Sequence, residues 1–272
     1  MGLDRAKAAL AGTRFADLRW VVETGSTNAD LPVLLAERGP TGGPPAPVVL
    51  VADHQTAGRG RLDRTWEDEP GSSLLVSIGI GASDIPPARR TLVPAAVAAA
   101  ACDACSGTRV KWPNDLVVVG SGPDGGDLKL GGVLAELVEV PEVGPVVVVG
   151  IGLNLNWGTI PGSLEGVATS LDRVLGGTVD REVVLVDLLV GLDQRWLPLV
   201  ESASADPDEF LSAYRARSAT LGSRVRVELT DAVLVGTAVD LAADGSLVVE
   251  DDQRVRRTIA VGDVVHLRPE GG

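Results

Sequence analysis

The sequence predicts an α+β domain followed by a small β-barrel. Strand-like and helix-like segments alternate, without an internal repeat, to about residue 220. After Leu221 the texture changes to five short strand-like runs with turns such as Asp244-Gly245, the spacing of a small barrel. The 272 residues are 45% apolar and 22% charged, ordinary values for a globular chain long enough to bury a sizeable core. The expected division is residues 1–220 and 221–272.

In chain order, Asp17 to Glu23 reads as a strand, and Ser26-Thr27-Asn28 as the cap of a helix running to about Arg38. Pro40 to Pro47 is a Gly/Pro loop, and Val48 to Asp53 a short buried strand. His54 to Gly71 has no apolar period and is rich in Gly and Arg, as expected of a long functional loop. Ser73 to Gly81 is a strand, Pro87 to Cys105 a helix, and Arg109 to Lys111 and Asp115 to Val119 short strands. A turn over Gly120 to Asp127 leads to strands Lys129 to Val140 and Val146 to Gly152. Arg181 to Leu199 and Pro207 to Ala219 carry helical apolar spacing. The barrel strands are expected over Arg224 to Leu229, Ala232 to Leu241, Ser246 to Glu250, Arg254 to Ile259 and Asp263 to Arg268.

A net charge of −13 argues against a chain that lives on a phosphate backbone. About 20 residues precede the first strand, too few for a helix-turn-helix unit. Charged residues interrupt the N-terminal segment, so it is not a signal peptide, and no apolar run spans a membrane. The expectation is a cytoplasmic protein with neither DNA nor membrane as partner.

Arg, Ala, Gly, Val and Leu are abundant, while Lys and Asn are scarce. The three Lys are Lys7, Lys111 and Lys129, and the four Asn are Asn28, Asn114, Asn154 and Asn156. Where Arg could serve, this chain uses Arg; apart from Lys7, which reads as a surface residue, the remaining Lys and Asn are candidates for positions where nothing else would do, Lys being a compact point charge and Arg a planar fork. Cys102 and Cys105 form a C-x-x-C, but they follow a helical run instead of opening one, and are expected to be buried and inert.

Four segments concentrate chemistry. Gly58-Arg59-Gly60-Arg61-Leu62-Asp63-Arg64-Thr65-Trp66 interleaves glycines, which let backbone approach a phosphate, with Arg forks that neutralise its oxygens. Lys111-Trp112-Pro113-Asn114-Asp115 places rare residues at a strand junction, to hold Mg²⁺ through oxygen or to fix a turn. Lys129-Leu130-Gly131-Gly132 sets a Lys beside paired glycines, where something approaches the backbone. In Gly150-Ile151-Gly152-Leu153-Asn154-Leu155-Asn156-Trp157, period 2 puts both Asn on one face of a strand, as ligand contacts or satisfied core groups.

Together with Ser26-Thr27-Asn28, Gln55 and Glu136, these motifs resemble, in order and spacing over about residues 17 to 160, the biotin–protein ligases, in the form without an N-terminal DNA-binding domain. The resemblance implies a mixed β-sheet catalytic domain with flanking helices, of the biotin/lipoate ligase, class II synthetase-like kind, and a C-terminal SH3-like barrel. It implies that biotin is activated with ATP, accompanied by Mg²⁺, to biotinyl-5′-AMP. Biotin then passes to a lysine of the biotin carboxyl carrier domain of a carboxylase. Lys129, Arg61 and Arg64 would be catalytic, with Lys129 bridging the carboxylate and the α-phosphate. Ser26, Thr27, Asn28, Gln55, Arg59, Gly60, Arg61 and Lys129 would hold biotin. Arg59, Arg64, Trp66, Lys111, Asn114, Asp115, Asn154 and Trp157 would serve ATP and the adenylate. Two departures add acid to the loop: Asp63 where the family usually has Gly, and Glu67-Asp68-Glu69-Pro70 in place of a Ser-Pro stretch. The alternatives are a lipoate–protein ligase, whose Arg-Arg-x-Ser-Gly-Gly-Gly signature is absent here, and a non-catalytic biotin-binding regulator.

Overall fold

A computed structural model describes residues 3–38, 47–160, 162–202, 206–229, 232–260 and 262–267. The Gly/Pro loop expected from Pro40 lies outside the described residues up to 46, as does Arg268, the expected end of the last strand. Helix α1 (Leu3–Leu10) precedes β1 (Asp17–Thr24), α2 (Thr27–Arg38) and β2 (Val48–Gln55). Two short strands, β3 (Gly58–Arg59) and β4 (Thr65–Trp66), form a hairpin of their own. Then follow β5 (Ser73–Gly81), α3 (Val93–Ala104), β6 (Arg109–Lys111), β7 (Asp115–Val118), β8 (Leu128–Val140) and β9 (Gly144–Asn154). Helices α4 (Leu171–Leu175), α5 (Arg181–Gly191), α6 (Leu197–Glu201) and α7 (Pro207–Arg215) lead to β10 (Arg224–Glu228), β11 (Val233–Leu241), β12 (Leu247–Glu250), β13 (Arg256–Ile259) and β14 (Asp263–His266).

The large sheet has seven strands in the order β1-β2-β5-β9-β8-β7-β6. Only β1 and β2 are parallel; the other neighbours are antiparallel. Alternation separates its faces. Val49 and Val51 of β2, with Val147, Val149, Ile151 and Leu153 of β9, join the main core, to which α1, α3 and α5 contribute. Val48 and Leu50, with Val146 and Val148, pack instead on Leu31 and Leu35 of α2. Further along that second face of β9 the side chains disappear at Gly150 and Gly152, which opens a trough in the sheet.

The C-terminal strands form a five-stranded antiparallel sheet, in the order β13-β12-β11-β10-β14. Its junction with the large sheet is hydrogen-bonded: the Val110 N–H donates to Arg217 O at 2.9 Å, and the Ala219 N–H to Val110 O at 2.7 Å. Residues 217–219 therefore run along β6.

Several elements differ from expectation. The His54–Gly71 segment is not featureless, because the β3–β4 hairpin folds it back on itself. The helix expected from Pro87 begins as 3₁₀ turns over Pro87–Leu92 and becomes α-helical at Val93. The helix expected over Arg181 to Leu199 is broken by a wide turn at Leu192–Trp196; Pro198, just beyond it, has no N–H for the carbonyl four residues back. Helices α1 and α4 span eight and five residues, too few for a clear period. Asn154 ends β9 and Asn156 lies beyond it, so the two do not share a strand face. Cys102 and Cys105 are buried, and burial pushes their thiols up to about 11 and about 12, as fits inert thiols.

Candidate active site

A cavity of about 380 Å³ sits over the trough, within the usual size of small-molecule sites. Strands β9 and β8 form its floor, with β5 beside β9. Ser77 of β5 stands opposite Gly150 of β9, and Gly150 stands opposite Leu134 of β8. A Cβ at Gly150 would collide with the Asn28 amide, and one at Gly152 would meet the Trp66 indole at 2.8 Å. The glycines are thus the space into which α2 and the Arg-rich loop pack their side chains.

One wall is neutral and buried. Ser26, Thr27 and Asn28, at the start of α2, are 5%, 3% and 5% exposed. Gln55 Oε1 accepts from the Thr27 N–H at 2.8 Å and from the Thr27 hydroxyl at 3.0 Å. The Ser77 hydroxyl lies 2.7 Å from Thr27 Oγ1 and 2.6 Å from Asn28 Oδ1. Asn28 Nδ2 donates to Leu134 O and Glu136 Oε2, both at 3.2 Å. With its oxygen engaged, the Gln55 amide keeps its N–H₂ as a donor for a ligand.

The opposite wall is charged and more open. Strand β8 changes parity at its double glycine: Leu116 pairs with Gly131 and Val117 with Lys129, so Leu130 is an extra residue. Leu130 turns into the core while Lys129 joins the cavity side. Gly131 permits the irregularity, since a Cβ there would meet Gly152 O at 2.6 Å. Lys129 Nζ lies 2.8 Å from Asp115 Oδ1 and 5.9 Å from the centre of the Trp66 ring. The loop arginines all reach partners across the cavity. Arg59 donates to Glu136 Oε1 at 3.0 Å, Arg61 to Asn114 Oδ1 at 3.1 Å, and Arg64 to Asp263 Oδ2 at 2.6 Å. Arg61 also lies 3.8 Å from Asp263. Arg59 and Arg64 are 52% and 68% exposed, and pairs this exposed contribute only about 0–1 kcal/mol each. An incoming phosphate can displace them.

Among the described residues, Lys111 makes no ion pair, yet it lines the cavity. Trp66 also lines the cavity, and its Nε1 is buried without a hydrogen-bond partner among the described residues. The structure brings together Ser26, Thr27, Asn28, Gln55, Arg59, Gly60, Arg61, Arg64, Trp66, Lys111, Asn114, Asp115 and Lys129. Asn154 and Trp157, expected on the adenine side, do not line this cavity. Asn154 Nδ2 donates to Thr169 O at 3.1 Å as a satisfied core group, and Trp157 is 8% exposed. Asn156 likewise is structural, exchanging two hydrogen bonds with the Val179 backbone. Sequence reasoning missed Ser77, Glu228 and Asp263. Ser77, a lone hydroxyl in the apolar run Leu74 to Ile80, carried a readable signal; Asp263 and Glu228 arrive from the second sheet and carried none.

Residues 24–156 match the Biotin/lipoate A/B protein ligase family, and residues 220–267 the Biotin protein ligase C terminal domain. A biotin–[acetyl-CoA-carboxylase] ligase of Mycobacterium tuberculosis is 36% identical over 95% of this chain and 92% of its own length. One from Paracoccus denitrificans is 31% identical over 65% of this chain and 72% of its own. The solved biotin protein ligase of Aquifex aeolicus, in complex with biotin and ATP, superposes with a TM-score of 0.72 at 26% identity, covering 94% of this chain and all of that one.

Proposed function

The chain belongs to the biotin protein ligase family, and from that premise we propose that it joins biotin to protein in two steps. In the first, a biotin carboxylate oxygen attacks the α-phosphorus of ATP; the bond to the bridging oxygen breaks, and pyrophosphate leaves. In the second, the amine of a carrier lysine attacks the acyl carbon. An amide forms, a proton is released and AMP departs. The observation that carries the reading is the pairing, in one cavity, of a neutral buried wall with a charged open one.

The neutral wall suits the ureido group of biotin, which needs matched donors and acceptors but no charge. Gln55 N–H₂, Ser26 and the Thr27–Ser77–Asn28 network supply them. Lys129, now 2.8 Å from Asp115, would move between the carboxylate and the α-phosphate, giving up Asp115 as the anions arrive. Arg59, Arg61 and Arg64 would exchange Glu136, Asn114 and Asp263 for phosphate oxygens, and Trp66 would cover the site. Lys111, Asn114 and Asp115 would serve the nucleotide side. Mg²⁺ enters as part of the ATP substrate, a hard cation that takes one or two carboxylates and otherwise phosphate and water oxygens. Residues 1–220 would carry the chemistry, with 221–272 completing the cavity. No helix among the described residues is long and apolar enough to cross a membrane, and a cytoplasmic carboxylase carrier domain is the proposed protein substrate.

The test is ATP–pyrophosphate exchange with biotin and, separately, with lipoate, followed by transfer to a biotin carboxyl carrier domain. Exchange that needs biotin, and carrier labelling that follows, support the reading. Exchange driven equally by lipoate, or biotin binding without exchange, would replace it with one of the two alternatives.

A further inference from the structure

This chain has two histidines, and one of them joins the two sheets. His266, on β14 in the C-terminal unit, places Nδ1 2.9 Å from Asp127 Oδ2 and Nε2 3.1 Å from Thr220 Oγ1. That same Thr220 oxygen accepts the Trp112 backbone N–H at 2.9 Å. Asp127 Oδ1 in turn accepts the Gly120 N–H at 3.3 Å.

Donor and acceptor logic fixes the protons along this line. A carboxylate can only accept, so Nδ1 carries the hydrogen. In a neutral ring Nε2 is then bare and accepts the Thr220 hydroxyl, which leaves the hydroxyl oxygen free for the Trp112 N–H. Thr220 is fully buried and Trp112 is 6% exposed, so a donor left unmatched here cannot turn to water. The Trp112 indole is held from the same unit, donating to Gly245 O at 3.0 Å.

Trp112 lies between Lys111 and Pro113-Asn114-Asp115, and these residues line the cavity. We propose that His266 and Thr220 are positioning residues for adenylation, fixing the Trp112 backbone and through it Lys111 and Asn114. The inference rests on the ligase reading for its kinetic consequence, but not for its geometry. It gives the C-terminal unit a second role besides supplying Asp263: it sets the register of the nucleotide wall without touching the substrate.

The relay works only with a neutral ring. Burial holds the His266 imidazole below its ordinary value, and the charge of Lys111 acts in the same direction, against Asp127, which favours the cation. A second proton, on Nε2, would turn a second N–H donor onto the Thr220 oxygen and strand the hydroxyl hydrogen. The arrangement is therefore intact at neutral pH and fails in acid, below the ordinary imidazole value of about 6.5.

Three variants test this: Thr220→Val, which keeps shape and removes the hydroxyl; His266→Leu; and His266→Gln, which keeps one donor and one acceptor and never charges. Steady-state pyrophosphate release gives KM for ATP and kcat, calorimetric titration gives the biotin Kd, and hydrogen exchange reads the Trp112 amide in ligand-free protein. Thr220→Val and His266→Leu should raise KM for ATP about tenfold, leave the biotin Kd within about twofold, and speed exchange at Trp112. His266→Gln should restore slow exchange and lose the acid-side rise in KM that the unmodified protein shows. A folded Thr220→Val with slow Trp112 exchange and unchanged KM overturns the proposal. So does a His266→Gln variant with an unaltered acid limb, which stays informative if Thr220→Val does not fold. Absence of pyrophosphate release from the unmodified protein would instead overturn the ligase reading, while Trp112 exchange would still decide the relay.

Discussion

The two walls of the cavity are built by opposite means. The neutral wall hangs on the large sheet and the first turn of α2; Ser26, Thr27 and Asn28 are buried, and the side chains of Thr27, Asn28, Gln55 and Ser77 hold one another by hydrogen bonds. The charged wall is assembled from a hairpin loop, a strand irregularity and a residue of the second sheet, and its cations are half exposed. A neutral ligand end gains from donors and acceptors frozen in advance, because a misplaced buried polar group costs about 1–3 kcal/mol. A polyphosphate must enter and pyrophosphate must leave, so its cations are better parked on weak carboxylate partners that can be exchanged.

Removing the charge at the reacting centre should break the open wall most severely. Lys129→Ala is expected to slow biotin-dependent pyrophosphate release by about 10²–10³-fold. Lys129→Arg should also be poor, since a planar fork does not replace a point charge between two anions; near-normal release from either would remove Lys129 from its role. Removing one of the loop cations comes next. Arg61, held on Asn114 without ligand, would exchange it for the adenylate phosphate, and losing a charge-assisted contact of this kind costs about 1.5–3 kcal/mol. Biotinyl-AMP should therefore leave Arg61→Gly at least about tenfold faster after rapid dilution, labelling bystander lysines; an unchanged off-rate contradicts that contact.

The neutral wall should fail differently, by shape. Gly150→Ala drives a Cβ into Asn28, and overpacking costs about 1–3 kcal/mol. Biotin affinity should fall about tenfold in calorimetric titration, with ATP binding little altered; equal losses for both ligands would erase the distinction between the walls. Salt sharpens it most gently. Raising ionic strength from 0.1 to 1 M shortens screening from about 10 Å to about 3 Å. KM for ATP should rise about threefold, and the biotin Kd should hardly move.

The same division explains what could be read from sequence. The residues of each wall that lie in compact motifs were legible, because scarce Lys and Asn in a chain dominated by Arg and Gly stand out at Lys129, Lys111, Asn28 and Asn114. The same scarcity marks Asn154 and Asn156, whose amides meet the Thr169 and Val179 carbonyls outside this cavity. The alternation that should have put both on one face ends with β9 at Asn154. The strands of both sheets were visible through their apolar runs. The β3–β4 hairpin was not, since strands of two residues carry no period. Asp263 and His266 act through pairings over 100 residues or more away in sequence, which no local pattern encodes.

Acid-quenched single-turnover reactions, read by mass spectrometry for the adenylate itself, test the central claim most directly. With biotin and ATP, and no carrier present, the chain should accumulate about one equivalent of biotinyl-5′-AMP per enzyme, and Lys129→Ala should accumulate almost none in the same time. A chain that binds both ligands yet forms no adenylate, or a Lys129→Ala variant that forms it as fast, would contradict the account.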